Sequence, residues 1–202
     1  MRVRVLGREE MPAVVSVLCE SFFDYPVMRW VLGPEDGFEA RLETLVTFFV
    51  IARVLRDEFL LGVTASGGLA AAALVSHPGR GRSPPELSVI RERTWAELGA
   101  EARLRYESFG AAVAEFNVES EHMHLNMIGV RSSAQGQGLG RSVLEAVHDL
   151  SASDTESTGV TLSTEVESNV SLYEHFGYEV VGSATIDSAF TTWVMYRSDR
   201  ER

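Results

Sequence analysis

The stretch "MIGVRSSAQGQGLGRSVLEAV", residues 127–147, limits what this chain can fold into more than any other part of it. Gly136, Gly138 and Gly140 stand at every second position. Glycine loses more backbone freedom on folding than any other residue, so such a run weakens a helix or a strand. Yet an apolar strand leads into it, and Leu139, Val143, Leu144 and Val147 follow at the spacing of one helix face. A strand, a tight glycine turn and a helix start together make an anion site. Free N–H groups point outward at the helix N-terminus, and the helix dipole favours negative charge. Glycines let the oxygens of a phosphate or pyrophosphate reach those amides.

The rest of the chain reads as a mixed α/β sheet. Residues 2–6 alternate as a short strand, 9–22 and 38–56 have helical periodicity, and "DYPVMRWVLGPEDG" is a loop or broken helix. "FLLGVTA" and "LAAALVS" around "SGG" make a hairpin signal, followed by the Gly/Pro/Arg loop "HPGRGRSPPE". Residues 86–116 are helical with a break near Gly99 or Gly110. "HMHLNMIGV" is a strand, the glycine loop starts a helix to about residue 150, and "SASDTESTG" is a polar loop. Strand "VTLST", helix "NVSLYEHF" and strands "YEVVGSAT" and "FTTWVMYR" complete one domain spanning 1–202.

Composition narrows the classes further. Apolar residues are 45% and charged residues 23% of 202, enough for a sizeable core in a soluble chain. No apolar run approaches the roughly 18 residues of a membrane span. "MRVRVLGREE" lacks the apolar core of a signal peptide. The single cysteine, Cys19, excludes an intrachain disulfide and reads as a core thiol, so a cytoplasmic location and no membrane partner are expected. A net charge of −11 argues against a nucleic-acid surface, and glutamates interleave with the arginines near 80–105. The same charge serves solubility and steers a cationic small molecule such as an amine.

Other uses of a glycine loop fit less well. A P-loop needs Lys-Ser/Thr after its last glycine, whereas Arg141 and Ser142 follow Gly140. A dinucleotide fingerprint reads G-x-G-x-x-G, whereas this loop reads G-x-G-x-G late in the chain. Gln135-Gly136-Gln137-Gly138-Leu139-Gly140 instead resembles Q/R-x-x-G-x-G/A, the acetyl-CoA signature of the GNAT superfamily of N-acetyltransferases. "NVSLYEHFGYEVVG" is similar to that family's downstream Asn…Tyr…Gly-Phe/Tyr element. The resemblance covers about 122–198; residues 1–121 fit the family's plan loosely, with a helical insertion at about 77–120. The C-terminal half, including "TTWVMYR", looks most like the puromycin-type antibiotic acetyltransferases.

That resemblance implies an acyl-CoA N-acyltransferase fold: a mostly antiparallel sheet, one splayed parallel pair, and helices on both faces. It implies acetyl-CoA as co-substrate and a primary amine as acceptor, with direct transfer in a ternary complex. Homodimers are common among the enzymes it resembles. The pyrophosphate would lie on the amides of Gln135, Gly136, Gln137, Gly138, Leu139, Gly140 and Arg141. The pantetheine arm would pair with Ile128, Gly129 and Val130, between that strand and 160–164. Asn169, an expected helix N-cap, would also touch the arm. Tyr173 would lie near the sulfur and protonate the leaving thiolate.

Several residues are candidates for the base that takes the amine proton. His122, His124 and Asn126 are expected on one face, and His124 lies where some members carry the base; Glu121, Glu165 or water are alternatives. "HMH" has no third partner at metal-site spacing, so no metal is expected. The acceptor pocket would draw on Phe22, Phe23, Tyr25 and Trp30 beside Asp24, with the insertion as a lid. Other readings of the same residues are a non-catalytic acyl-CoA sensor, an acyltransferase for longer acyl-CoA, and a nucleotide or sugar-phosphate binder.

Overall fold

The computed structural model describes residues 2–34, 36–65, 67–79 and 83–199. Residues 80–82 of the Gly/Pro/Arg loop, Ser66 of the hairpin turn and Glu35 lie outside the described residues. Seven strands form one sheet in the order β1-β2-β3-β4-β5-β7-β6. They are β1 (Arg4–Val5), β2 (Phe59–Ala65), β3 (Gly68–Ser76), β4 (Met123–Val130), β5 (Gly159–Thr164), β6 (Glu179–Ile186) and β7 (Phe190–Ser198). Every neighbouring pair is antiparallel except β4–β5, which is parallel.

The helices are α1 (Met11–Phe22), α2 (Pro26–Leu32), α3 (Phe38–Leu55), α4 (Pro85–Leu98), α5 (Ala100–Ala114), α6 (Leu139–Ala152) and α7 (Glu167–His175). The stretch read as a loop or broken helix contains α2, which starts on Pro26, a residue whose fixed φ suits the first helical turn. The predicted break in 86–116 falls at Gly99, between α4 and α5, and Gly110 is inside α5.

Helices cover both faces, and β3 shows why its sequence reads as almost continuously apolar. Ala72 and Leu74 belong to the core with Leu42, Leu45 and Val46 of α3 and Val14, Val17 and Leu18 of α1. Ala71, Ala73 and Val75 belong to the core with Leu139, Val143, Leu144 and Val147 of α6. A strand buried on both faces needs apolar residues at both parities.

Two irregularities of β4 shape the centre of the molecule. Leu74 pairs with Met127 and Val75 with Leu125, so Asn126 is an unpaired bulge residue. The extra residue reverses the alternation: Met123 and Leu125 lie in the α6-side core, whereas Met127 lies in the α1/α3-side core. Pairing of β4 with β5 is limited to Met123↔Val160, His124↔Thr161 and Leu125↔Leu162. Beyond that last pair the strands part, which is the expected splay. On β4, a Cβ at Gly129 would stand 2.5 Å from Ser21 Oγ, so α1 can lie this close only against glycine. Ser21 fastens the approach by donating to the carbonyl of Val130 at 3.3 Å.

Candidate active site

The gap between β4 and β5 leads into a cavity of about 240 Å³. Helices α1 to α3 and the corner between α1 and α2 supply Phe22, Tyr25, Met28, Leu45 and Phe49, and α5 supplies Tyr106 and Phe109. Its polar groups come from the sheet, α3 and α7: Arg53, His124, Asn126, Ser163, Glu165, Asn169 and Tyr173. The insertion therefore forms part of the cavity wall.

Glu165 follows directly on β5, and only 8% of it is exposed. Burial raises its carboxyl from the ordinary 4.5 to about 7, although Thr192 Oγ1 donates to its Oε1 at 2.7 Å and favours the charged form. Tyr25 and Thr164 fix the same strand end. Tyr25 Oη lies 3.1 Å from Thr164 Oγ1 and accepts from the Glu165 amide at 3.3 Å. Asn169 Nδ2 donates to Thr164 Oγ1 at 3.3 Å. Asn169 is not the N-cap: α7 begins two residues earlier, after Val166, because its backbone already turns there and the Asn169 amide donates to the Val166 carbonyl.

Tyr173 packs on Tyr178 with ring centroids 5.6 Å apart and also lines the cavity. Burial, helped by the negative charge of Glu165, pushes its phenol up to about 12. His124 places Nδ1 2.9 Å from Thr161 Oγ1. Burial, then the nearby Arg53 cation, brings its imidazole down to about 4, so it is neutral at physiological pH. His122 lies outside the cavity: it precedes β4, its Nδ1 is 2.6 Å from the Ser120 carbonyl, and its ring meets Tyr196 edge-on. Asn126 faces the cavity with His124, as alternation predicts, and the bulge adds Met127 to the same side.

Of the aromatic residues expected around the acceptor, Phe22 and Tyr25 line the cavity. Phe23 instead packs edge-on against Phe38, and Trp30 against Phe190. Asp24 is exposed and paired with Arg29 at 2.7 Å. The α1–α2 corner turns these three away, since consecutive residues of a helix end point in different directions. Cys19 is half-buried in the groove between α1 and α3, and burial raises its thiol to about 11.

Sequence reading passed over Arg53. It is 9% exposed and sits at the end of α3, where an arginine ordinarily reads as a solvated residue near a helix C-terminus. Its Nη1 donates to Asn126 Oδ1 at 2.6 Å and to Ser76 Oγ, and its Nε is 2.8 Å from Glu58 Oε2. The serine at the end of β3 and the glutamate before β2 were the available signals.

The glycine loop lies past the other end of β4. Gly136 and Gly138 have φ of +74° and +76°, and nothing stands within 4 Å of where a Cβ would be. Backbone conformation, not crowding by the protein, demands these two glycines, and the space beside them is open. Gly140 has no such φ, and its Cβ would meet Val130 Cγ2 at an ordinary 3.5 Å. The Ser142 amide donates to the Gly138 carbonyl at 3.0 Å, so the amides of Leu139, Gly140 and Arg141 precede the first intrahelical bond of α6. The Arg141 guanidinium lies 5.4 Å from the Phe176 ring beside the loop.

A parted parallel pair, an open amide turn and a cavity lined by a carboxylate and a phenol thus meet at the centre of a mixed α/β fold. Residues 95–198, just over half the chain, match the model of the acetyltransferase (GNAT) domain. The chain belongs to this acetyltransferase family, and acetyl-CoA is the co-substrate its members use.

Solved structures agree with the whole fold. A "histone acetyltransferase HPA2 and related acetyltransferase" of Corynebacterium glutamicum superposes with a TM-score of 0.70 at 22% identity, over 97% of this chain and 94% of that one. Arylalkylamine N-acetyltransferase 2 of Aedes aegypti gives 0.60 at 15% identity, over 98% and 99%. The ribosomal-protein-S18-alanine N-acetyltransferase of Escherichia coli gives 0.59 at 14%, over 100% and 95%. At these identities the agreement is one of fold. Among the described residues no group of three or more metal-ligating side chains occurs, and no helix is long and apolar enough to cross a membrane.

Proposed function

We propose that this protein transfers an acetyl group directly from acetyl-CoA to a primary amine held in the cavity. The observation that carries the proposal is the meeting of Glu165 and Tyr173 on one cavity at the parting of β4 and β5. The loop from Gln135 to Arg141 fits a pyrophosphate: two left-handed glycines shape it, and the first-turn amides of α6 are free to donate. Ile128, Gly129 and Val130 lie past the last β4–β5 pair and fit an extended pantetheine arm, with Asn169 and Tyr173 near its end. Acetyl-CoA supplies the thioester carbonyl and the thiol leaving group.

The chain's own residues then manage protons. An attacking amine must be neutral, and apolar walls already disfavour its ammonium form. Glu165, with a proton affinity near neutrality, takes the amine proton as the N–C bond forms and the C–S bond breaks. Tyr173 keeps its proton at every physiological pH and donates it toward the departing sulfur. His124 holds its proton too weakly to match Glu165 as base at neutral pH, and its Nδ1 is engaged with Thr161 of β5. Cys19 is outside the cavity and has a raised pKa, so an acyl-cysteine route is not used.

The reading is tested by calorimetric titration with acetyl-CoA, CoA and ATP, followed by thiol release with a panel of amines. The expected result is micromolar binding of acetyl-CoA and CoA, none of ATP, and amine-dependent thiol release. Binding without turnover on any amine would leave an acyl-CoA sensor. Faster turnover with longer acyl chains would leave a different acyltransferase, and tighter binding of ATP a nucleotide site.

A further inference from the structure

The lining of the acceptor cavity also bears on the amine, provided the transfer proposed above is correct. Phe22, Tyr25, Phe49, Tyr106 and Phe109 present ring surface from α1, the α1–α2 corner, α3 and α5. The cavity measures about 240 Å³ and its wall also includes Ile128, Asn169 and Tyr173, where the end of the thioester arm would lie, so the room left suits a small acceptor body. Among the described lining residues Glu165 is the sole carboxylate, and the reaction needs it for the first nitrogen. The other charged group is Arg53. Its Nη1 is turned to Asn126 of the cavity wall and to Ser76, while its carboxylate partner Glu58 lies against Nε and does not line the cavity. A second ammonium would therefore meet a fixed cation with no free carboxylate beside it, where desolvation magnifies the repulsion. This runs against what the net charge of −11 suggests, because the acidic surface acts at long range and the cavity decides at contact.

We infer that the acceptor is a small primary monoamine with an apolar, ring-sized body, and that Arg53 is the specificity residue that rejects amines carrying a second positive charge.

The test compares kcat/KM for 2-phenylethylamine, hexylamine and putrescine by thiol release at saturating acetyl-CoA, after acetyl-CoA binding has been established by calorimetry. Both monoamines should exceed putrescine at least about tenfold. In Arg53→Met/Glu58→Gln, which removes the cation without stranding its partner, the ratio of putrescine to 2-phenylethylamine should rise at least about fivefold. Glu58→Gln alone, which keeps the cation and removes the charge that offsets it, should lower the same ratio and provides the check if the double variant does not fold. Putrescine used as well as the monoamines by the wild type would overturn the acceptor class while the transfer reading stands. An unchanged ratio in the folded variants would overturn the role of Arg53. No thiol release with any amine, despite acetyl-CoA binding, would overturn both.

Discussion

Glu165→Gln separates the electrostatic burden of the site from its packing. Glutamine has nearly the shape of glutamate, and its carbonyl oxygen can still accept from Thr192 Oγ1, a bond of 2.7 Å in the wild type. What it removes is a charge held at 8% exposure. The carboxyl titrates near 4.5 when unfolded and at about 7 in the fold. A raised folded pKa means that the native state prefers the protonated acid. The wild type therefore bears no penalty below about 4.5, loses stability as pH rises toward about 7, and bears the full loss above it. At 1.36 kcal/mol per pH unit that loss is roughly 3 kcal/mol. Glu165→Gln should thus be more stable than wild type by about 2–3 kcal/mol at pH 8 and equal to it near pH 4. In a domain of this size the gain is roughly 4–12 °C in Tm. Urea and thermal melts at pH 4.5, 6 and 8 measure it, beside thiol release at pH 8, which should fall about 10²-fold or more. A stability difference that does not change with pH would refute the desolvation argument. Activity within threefold of wild type would remove Glu165 from the base role, even if the stability argument held.

Two further substitutions probe the same proton path. Tyr173→Phe retains the ring contact with Tyr178 and should lower kcat about 10²-fold while leaving calorimetric binding of acetyl-CoA within about threefold; an unchanged kcat would assign Tyr173 to packing alone. Thr192→Val removes the donor that favours the charged form of Glu165, so the acidic limb of the kcat/KM–pH profile should move from about 7 upward by roughly one to two units, and a limb that stays in place would show that Glu165 does not control it.

The glycine loop, α6 and the seven strands were legible because each follows a local rule: alternation in some strands, apolar runs around a hairpin turn in β2 and β3, period near 3.6 in α6, and positive φ at Gly136 and Gly138. The approximate limits of α3, the break at Gly99 and the splay next to the loop follow from the same signals or from the family resemblance. The rest depends on contacts far apart in sequence. Nothing around Asn126 marks a bulge, because a bulge is a property of two paired strands and not of either alone. Arg53 becomes a cavity residue only once Ser76 and Asn126 are brought to it from β3 and β4. Glu165 could be named as a candidate, but its raised pKa comes from burial among elements drawn from the whole chain. Phe23, Asp24 and Trp30 were grouped with Phe22 and Tyr25 by proximity in sequence, and the corner between α1 and α2 separates them.

The bulge also connects fold to function. The last β4–β5 pair is Leu125↔Leu162, and the very next residue of β4 is Asn126, the one without a partner on β3. A bulge bends its strand and increases its local twist, so β4 turns away from β5 where pairing ends. The same added residue brings Met127 to the α1/α3 side, beside His124 and Asn126, where regular alternation would have sent it to the other core. An unpaired asparagine with its side chain on that face then gives Arg53 an acceptor, and the end of α3 is tied to the sheet at the back of the cavity. Beyond the bulge, β4 continues in register with β3 through Val130, so the strand still delivers the chain to the glycine turn at a fixed position. The gap between β4 and β5, the polar wall of the cavity and the placement of the glycine turn thus converge on one extra residue in one strand. Under the function proposed above, these three would hold the thioester arm, the amine and the pyrophosphate, and transfer would need all three together.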